Sequence, residues 1–484
     1  MTTSGPRRLL LGLAVAFLLV RAATVLAYRD TLYYYGMVSN QFAIAEAAYK
    51  GHWFAWDKEL AGNVMREAKR QGRFIPLEEW SRFPGSGRYT VFPAQDLPGF
   101  GYIVAVTSRW FGDQLTTRFA MVIQLLSELA GLLLFVGCVR ALLGARTAWL
   151  TGLVYVFGYP FIWPIASLPM RDVFAIPVYA ALLAAVVWFA TARGAIASYL
   201  GSGLLIAAAA VLLWVRPYGY YFCLLLVPFA ALVPKRPWRD RLALAVMLVL
   251  VPWLAFGLPF RQFNLRHYGV VDTDGMGRGQ WVRMGIAKDN PYGFVLSDEA
   301  MVPWIKRYYG RDVEYASPEM NRLLGDYASQ IRREDPAFYL KTLWLVWLQM
   351  AKTPLDVVPP FPLVEYASSG LSPTEYLSAY PGQSVYKALN RLLLTVYFYG
   401  GVFLAIRMLM RRREERWGLA MLLSPLVYTT VVQAATLSEP RYMAVGAWVL
   451  VLPIAAWLQE LSDDRRRSRG VPSEVALSGA GASP

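Results

Sequence analysis

Long apolar runs, separated by short basic segments, dominate the hydrophobic pattern of this 484-residue chain. They fall near residues 9–27, 117–139, 147–168, 173–191, 197–214, 217–233, 241–259, 386–408, 417–436 and 442–459. Helices of this length cross about 30 Å of hydrocarbon, so the pattern predicts ten membrane spans. The two runs that meet around Trp214–Tyr221 also fit one broken helix pair. A shorter run at 338–353 is apolar on most of its face but carries Lys341, Gln349 and Lys352. It reads as an interfacial or re-entrant helix.

Two long polar segments interrupt the apolar runs, 28–97 and 261–337, and both are rich in aromatic residues. Connections of that length are usually functional. Within the second, Ile305, Tyr309 and the group Leu323, Leu324, Tyr327 and Ile331 follow a helical rhythm. The expected organisation is an amino-terminal transmembrane module (1–260) carrying the first outer loop, 28–97. An outer loop region (261–385) with the interfacial helix follows, then carboxy-terminal transmembrane helices (386–462) and a disordered cytoplasmic tail (463–484). The fold class expected is an all-α polytopic membrane protein.

Composition narrows the classes further. Hydrophobic residues make up 56% of the chain and charged residues 17%. Soluble proteins carry about 25% charged residues, and a soluble enzyme is thereby excluded. The net charge of +15 raises nucleic acid as a partner, but the basic residues crowd into the short gaps between spans, where control of topology explains them. With the amino terminus cytoplasmic and ten spans alternating, the inner side collects eighteen basic residues against seven acidic ones. The same alternation places 28–97 and 261–385 outside. Abundant Ala, Arg and Gly suggest a bacterial genome, and hence the bacterial cytoplasmic membrane.

Little in the chain fits a bound cofactor. Cys138 and Cys223 both sit in apolar runs, which excludes a disulfide scaffold and a thiolate metal cluster. The two histidines, His52 and His267, form no metal-binding helical motif. The glycine-rich stretch Asp272–Gln280 lacks the lysine and hydroxyl of a phosphate-binding loop and reads as a mobile loop.

Polar residues at the outer membrane boundary are the candidates for chemistry. Asp30 follows the first span, and Asp172 opens the fourth on the same face. Acids half out of water at a membrane boundary are functional candidates, and together they suit an acceptor hydroxyl that needs a base. The bland readings are a helix-ending acid paired with Arg29 or Arg21, and a helix-opening carboxylate favoured by the dipole. Glu46, in the expected helix 38–49, is a third candidate. Near the end, Glu439, Arg441 and Tyr442 precede the last span. An arginine on the outer side runs against the cytoplasmic bias, and a phosphate oxygen would give it a fixed partner; headgroups or Glu439 would do as well. Arg216 sits in the same kind of place. His267, beside Arg266 and Tyr268, suits a phosphate or sugar, or an ordinary surface position.

Three short motifs together resemble the GT-C superfamily of polyprenyl-phosphate-sugar-dependent glycosyltransferases. They are Asp30 with the following Ala43–His52 run, Met170–Phe174 at the fourth span, and Ser438–Tyr442 before the last. The segment from Asp335 to Leu340 also resembles the surface helix of the protein O-mannosyltransferase and lipid A aminoarabinose transferase branch. The resemblance implies a GT-C-like transmembrane bundle with extracytoplasmic loop helices. It implies transfer of a sugar from a polyprenyl phosphate to a protein, lipid or glycan hydroxyl, usually with inversion. Asp30 would be the base, Asp172 a second acid, and Arg441 the donor-phosphate ligand, helped by Arg216 or His267. Some members use a divalent metal and others none, and Asp30 and Asp172 do not choose between them. The chain departs from the family where Thr31 follows Asp30 in place of a second acid, which keeps Glu46 in play. Rival readings are a lipid-diphosphate-dependent glycan polymerase or ligase, drawing on Arg278, Arg283 and Arg307, a secondary transporter, and a non-catalytic scaffold.

Overall fold

The computed structural model describes residues 4–28, 35–91, 97–112, 114–162, 171–216, 219–269, 276–287, 289–295, 300–315, 317–352, 354–355, 370–435 and 440–468. The first span is α1 (Ser4–Tyr28), and the outer segment after it folds as α2 (Tyr35–Tyr49), α3 (Lys58–Gln71) and α4 (Gly99–Phe111). A two-residue antiparallel pairing of β1 (Ala55–Trp56) with β2 (Thr90–Val91) closes the α3 loop. The bundle continues through α5 (Thr117–Leu143), α6 (Ala145–Ile162), α7 (Ala175–Thr191), α8 (Ala195–Leu212) and α9 (Gly219–Ala231). Next, α10 (Trp238–Pro252) passes through a π-helical turn, Trp253–Gly257, into α11 (Leu258–Tyr268). The outer region holds α12 (Met276–Met284), α13 (Met301–Tyr309), α14 (Pro318–Glu334), α15 (Pro336–Lys352) and α16 (Pro373–Ala379). The chain returns through α17 (Pro381–Arg411), α18 (Arg416–Ala435), α19 (Pro440–Ala447) and α20 (Val451–Ser468).

In each expected span most of the described residues are helical; 163–168, 217–218 and 436 lie outside the described residues. Among the described residues, six helices are long and apolar enough to cross a membrane, with α7 and α9 apolar but shorter. The chain is a multi-pass membrane protein. The runs that meet at Trp214–Tyr221 are two helices, and α9, at 13 residues, is only about 20 Å long. At the centre stands α7, buried continuously from Ala175 to Val187. A helix apolar all round survives only when enclosed, and α5, α8, α9 and α18 pack around it. Cys138 and Cys223 are free thiols buried in this core.

Charges gather at one end of the bundle and tie its helices together. Arg146 pairs with Asp463, Arg407 with Glu460 at 2.7 Å, and Tyr199 donates to Asp240 at 2.6 Å. Arg236 donates to Ala192 O and Ser198 Oγ. The helix α20 runs on to Ser468, into the segment expected as a disordered tail, and Arg146 pairs with it at Asp463.

A second apolar cluster lies at the other end, built from Trp281, Met284, Phe294, Ile305, Leu324 and Ile331 among others. It corrects the reading of Asp272–Gln280 as loop. From Met276 the chain is helical, because Trp281 and Met284 must enter this core; residues 270–275 lie outside the described residues. The two clusters meet through α15. Its Phe338 belongs to the outer core, whereas Val346 and Met350 belong to the bundle. Leu340, Trp344 and Trp347 face outward from the same helix.

The first outer loop is fastened at Asp57. Its carboxylate accepts from the backbone N–H groups of Glu59, Leu60 and Gly87 and from the Ser86 hydroxyl, all at 3.1 Å. Burial pushes this carboxyl up, but the backbone donors of Leu60 and Gly87 outweigh it and leave the group below its ordinary value. Asp57→Ala removes the α3 cap and leaves buried donors unmet, at an expected cost of about 2 kcal/mol. Because the folded-state value is depressed, the contribution is complete above about pH 4, the unfolded aspartate value. It fades as pH falls through the folded value. Acid melts of wild type and Asp57→Ala should therefore converge; parallel curves would refute this.

Candidate functional site

Four successive residues at the start of α4 touch four different parts of the chain. Gly99 donates its N–H to Trp214 O at 3.0 Å, at the broken turn between α8 and α9. Phe100 packs on Phe174 with ring centroids 5.2 Å apart. Gly101 lies against the backbone of Gln41 and Ala45 in α2. The Tyr102 hydroxyl accepts the Phe54 N–H at 2.7 Å, and Phe54 in turn stacks near His267 and Phe263 of α11. Side chains on a helix leave at about 100° intervals, so one helical turn is enough to meet neighbours on every side.

Three sequence-predicted residues sit on these neighbours. Arg216, two residues beyond Trp214, is 3% exposed. Glu46 follows Ala45 and is buried, with Oε1 2.5 Å from Lys50 Nζ. This bond, more than the opposing burial, raises the Lys50 amine above its ordinary value. His267 is exposed at the end of α11, its ring 4.4 Å from that of Phe263. It lies against an aromatic patch made by Phe263 and Phe54.

The backbones carrying Asp172 and Arg441 also meet. The short 3₁₀ turn Arg171–Phe174 packs directly against α19, which begins at Pro440 and contains Arg441 and Tyr442. Phe174 links that turn to α4. Two motifs some 270 positions apart in sequence thus become neighbours at the end of the bundle away from the paired arginines. Asp30 and Glu439 lie outside the described residues, as do the side chains of Asp172, Arg441 and Tyr442. Among the described residues, no three His, Cys, Asp or Glu side chains come together as metal ligands.

The α4 hub was not among the sequence candidates. Its signal was present in Pro98-Gly99-Phe100-Gly101, since paired glycines mark close approach of backbones. A Cβ on Gly99 would stand 2.5 Å from Trp214 O, and one on Gly101 would stand 2.8 Å from Gln41 O. Backbone cannot yield as a side-chain tip can. Gly99→Ala and Gly101→Ala should each cost about 1–3 kcal/mol through overpacking. Melting of the detergent-solubilised variants tests this, and unchanged midpoints would refute it.

No protein-family model matches the chain, and no curated protein matches it. Among solved structures it is similar to the archaeal oligosaccharyltransferase AglB from Archaeoglobus fulgidus, in complex with an inhibitory peptide and a dolichol-phosphate. That likeness has 13% identity and a TM-score of 0.51, covering 99% of this chain and 52% of AglB. The chain also matches ArnT from Cupriavidus metallidurans bound to undecaprenyl phosphate. There the identity is 14% and the TM-score 0.36, with 96% of this chain and 80% of ArnT covered. This chain spans about half the length of AglB. Helices long and apolar enough to cross a membrane, with loop helices gathered at one end, give it a fold like that of AglB.

Proposed function

We propose that this chain is a membrane glycosyltransferase that moves a sugar from a polyprenyl-phosphate donor to a hydroxyl acceptor. The reaction takes place at the outer face of the bacterial cytoplasmic membrane. The observation that carries this reading is the meeting of the Arg171–Phe174 turn with α19 beside the α4 hub, within a GT-C fold. That junction lies at the end of the bundle opposite the paired basic residues, which the positive-inside rule assigns to the cytoplasm. The solved AglB holds dolichol-phosphate, and a lipid-linked donor is the natural substrate for a site at the membrane boundary.

In this reading Asp30 takes the proton of the acceptor hydroxyl. The freed oxygen attacks the anomeric carbon, the bond to the phosphate oxygen breaks, and its electron pair leaves with the polyprenyl phosphate. Attack opposite the leaving group inverts the sugar. Asp172 orients acceptor or donor. Arg441 holds the phosphate as its charge grows, a role suited to a fork of donors. Arg216 supports it from the neighbouring turn and His267 from α11, while Glu439 and Tyr442 flank the arginine. Glu46, one of whose oxygens is held by Lys50, is the alternative base. The acceptor is a glycan, lipid or protein hydroxyl.

The test is sugar transfer by purified protein in liposomes, supplied with a panel of polyprenyl-phosphate sugars and a crude envelope acceptor fraction, read by mass spectrometry. Transfer from a monophosphate donor is the expected result. Turnover only with lipid-diphosphate donors would replace this reading by a polymerase or ligase.

A further inference from the structure

The membrane part of the fold contains a fully buried ion pair that the proposed chemistry does not use. Arg21 of α1 pairs with Glu128 of α5, both side chains 0% exposed. The Tyr155 hydroxyl of α6 donates to Glu128 Oε1 at 2.7 Å. Charges are kept out of lipid unless they serve a purpose, and a buried pair is weak evidence for stability in itself. Its well-attested use is to fix one register among several.

The surroundings show which register is at stake. Most of α1 faces outward, with Leu11, Val15, Leu19 and Leu26 among its exposed residues. It meets the bundle along one stripe, Leu13, Phe17 and Arg21, spaced at four-residue intervals. Leu13 lies against Gly152 of α6, where an added Cβ would come within 2.6 Å of it. Apolar contacts of that kind permit sliding and rotation. The Arg21 cluster is directional, joining α1 to α5 and α6 at one point. At the outer end, the Tyr28 hydroxyl lies 3.2 Å from that of Tyr386 in α17. Asp30 follows within two residues.

We propose that Arg21, Glu128 and Tyr155 are positioning residues: they set the depth and rotation of α1, and through it the place of Asp30 in the transfer site. The inference rests on the reading of Asp30 as the base. The cluster touches no substrate. It acts as a peg in the bilayer, about two helical turns from the end of α1 at Tyr28.

The test compares reconstituted wild type, the Arg21→Met/Glu128→Met double variant, Tyr155→Phe and Asp30→Asn. For each, kcat, the KM for the polyprenyl-phosphate sugar, and the melting temperature are measured. The paired variant removes both charges, so it leaves neither one stranded. A misplaced base is expected to lower kcat by about 10- to 100-fold, with KM and melting temperature close to wild type. A purely structural role would lower melting temperature and active fraction together, leaving kcat per folded molecule unchanged, and would overturn the inference. Should the paired variant not fold, Tyr155→Phe decides, since it deletes one hydroxyl. A lowered kcat at unchanged KM supports positioning, and wild-type kcat overturns it. Full activity of the paired variant beside an inactive Asp30→Asn overturns positioning alone. No transfer by wild type from any donor overturns the transferase reading and this one with it.

Discussion

Asp30→Asn should abolish most sugar transfer, lowering kcat by about 10²- to 10⁴-fold, the usual contribution of a general base. The substitution keeps the shape of the side chain and removes its capacity to accept a proton. Donor binding depends on the phosphate and prenyl groups, so the donor KM should change little. Asp172→Asn is expected to affect acceptor and donor KM as well as kcat, because its place beside α19 suits orientation. If Asp30→Asn keeps its activity while Asp172→Asn or Glu46→Gln loses it, the base is one of those residues instead.

The second large effect concerns stability. Glu128→Ala should destabilise the protein by about 3–5 kcal/mol, the cost of breaking a buried pair by removing one partner. Arg21 would keep its charge in an apolar interior, and the Tyr155 hydroxyl would lose its acceptor. Replacing both members by methionine should cost far less, since two charges no longer need to be held away from water. Thermal melts in detergent, followed by intrinsic fluorescence of the tryptophans, distinguish the two. Equal destabilisation by the single and paired variants would show that packing volume and not charge is what matters.

Hydrophobic periodicity made most of the bundle legible, because lipid leaves a helix with few alternatives and apolar length alone identifies it. The uneven distribution of arginines sorted its two ends. Loop helices were harder to read. Asp272–Gln280 looked like a glycine-rich mobile loop, and the burial of Trp281 and Met284 against residues far along the chain makes it helix from Met276 onward. The sequence offers candidate residues one by one but does not show which of their segments become neighbours. Nothing local links Arg171–Phe174 to the start of α19 at Pro440. Their meeting follows from how α7 and α19 pack. The α4 hub was missed because apolar and glycine residues carry no chemistry of their own, although they decide which segments touch. The Arg21–Glu128 pair was visible only as an arginine within one span and a glutamate within another.

The bridging of two cores by α15 limits how the protein can be divided. Excising residues 276–352 to obtain the outer region as a soluble fragment would uncover Val346 and Met350, which pack into the bundle. It would also leave Leu340, Trp344 and Trp347 facing water without lipid. Trimming the fragment before Phe338 would instead take a side chain from the outer core. Neither cut yields a clean surface, so binding work on isolated outer fragments would measure aggregates, and nanodiscs holding the intact chain are the appropriate starting material.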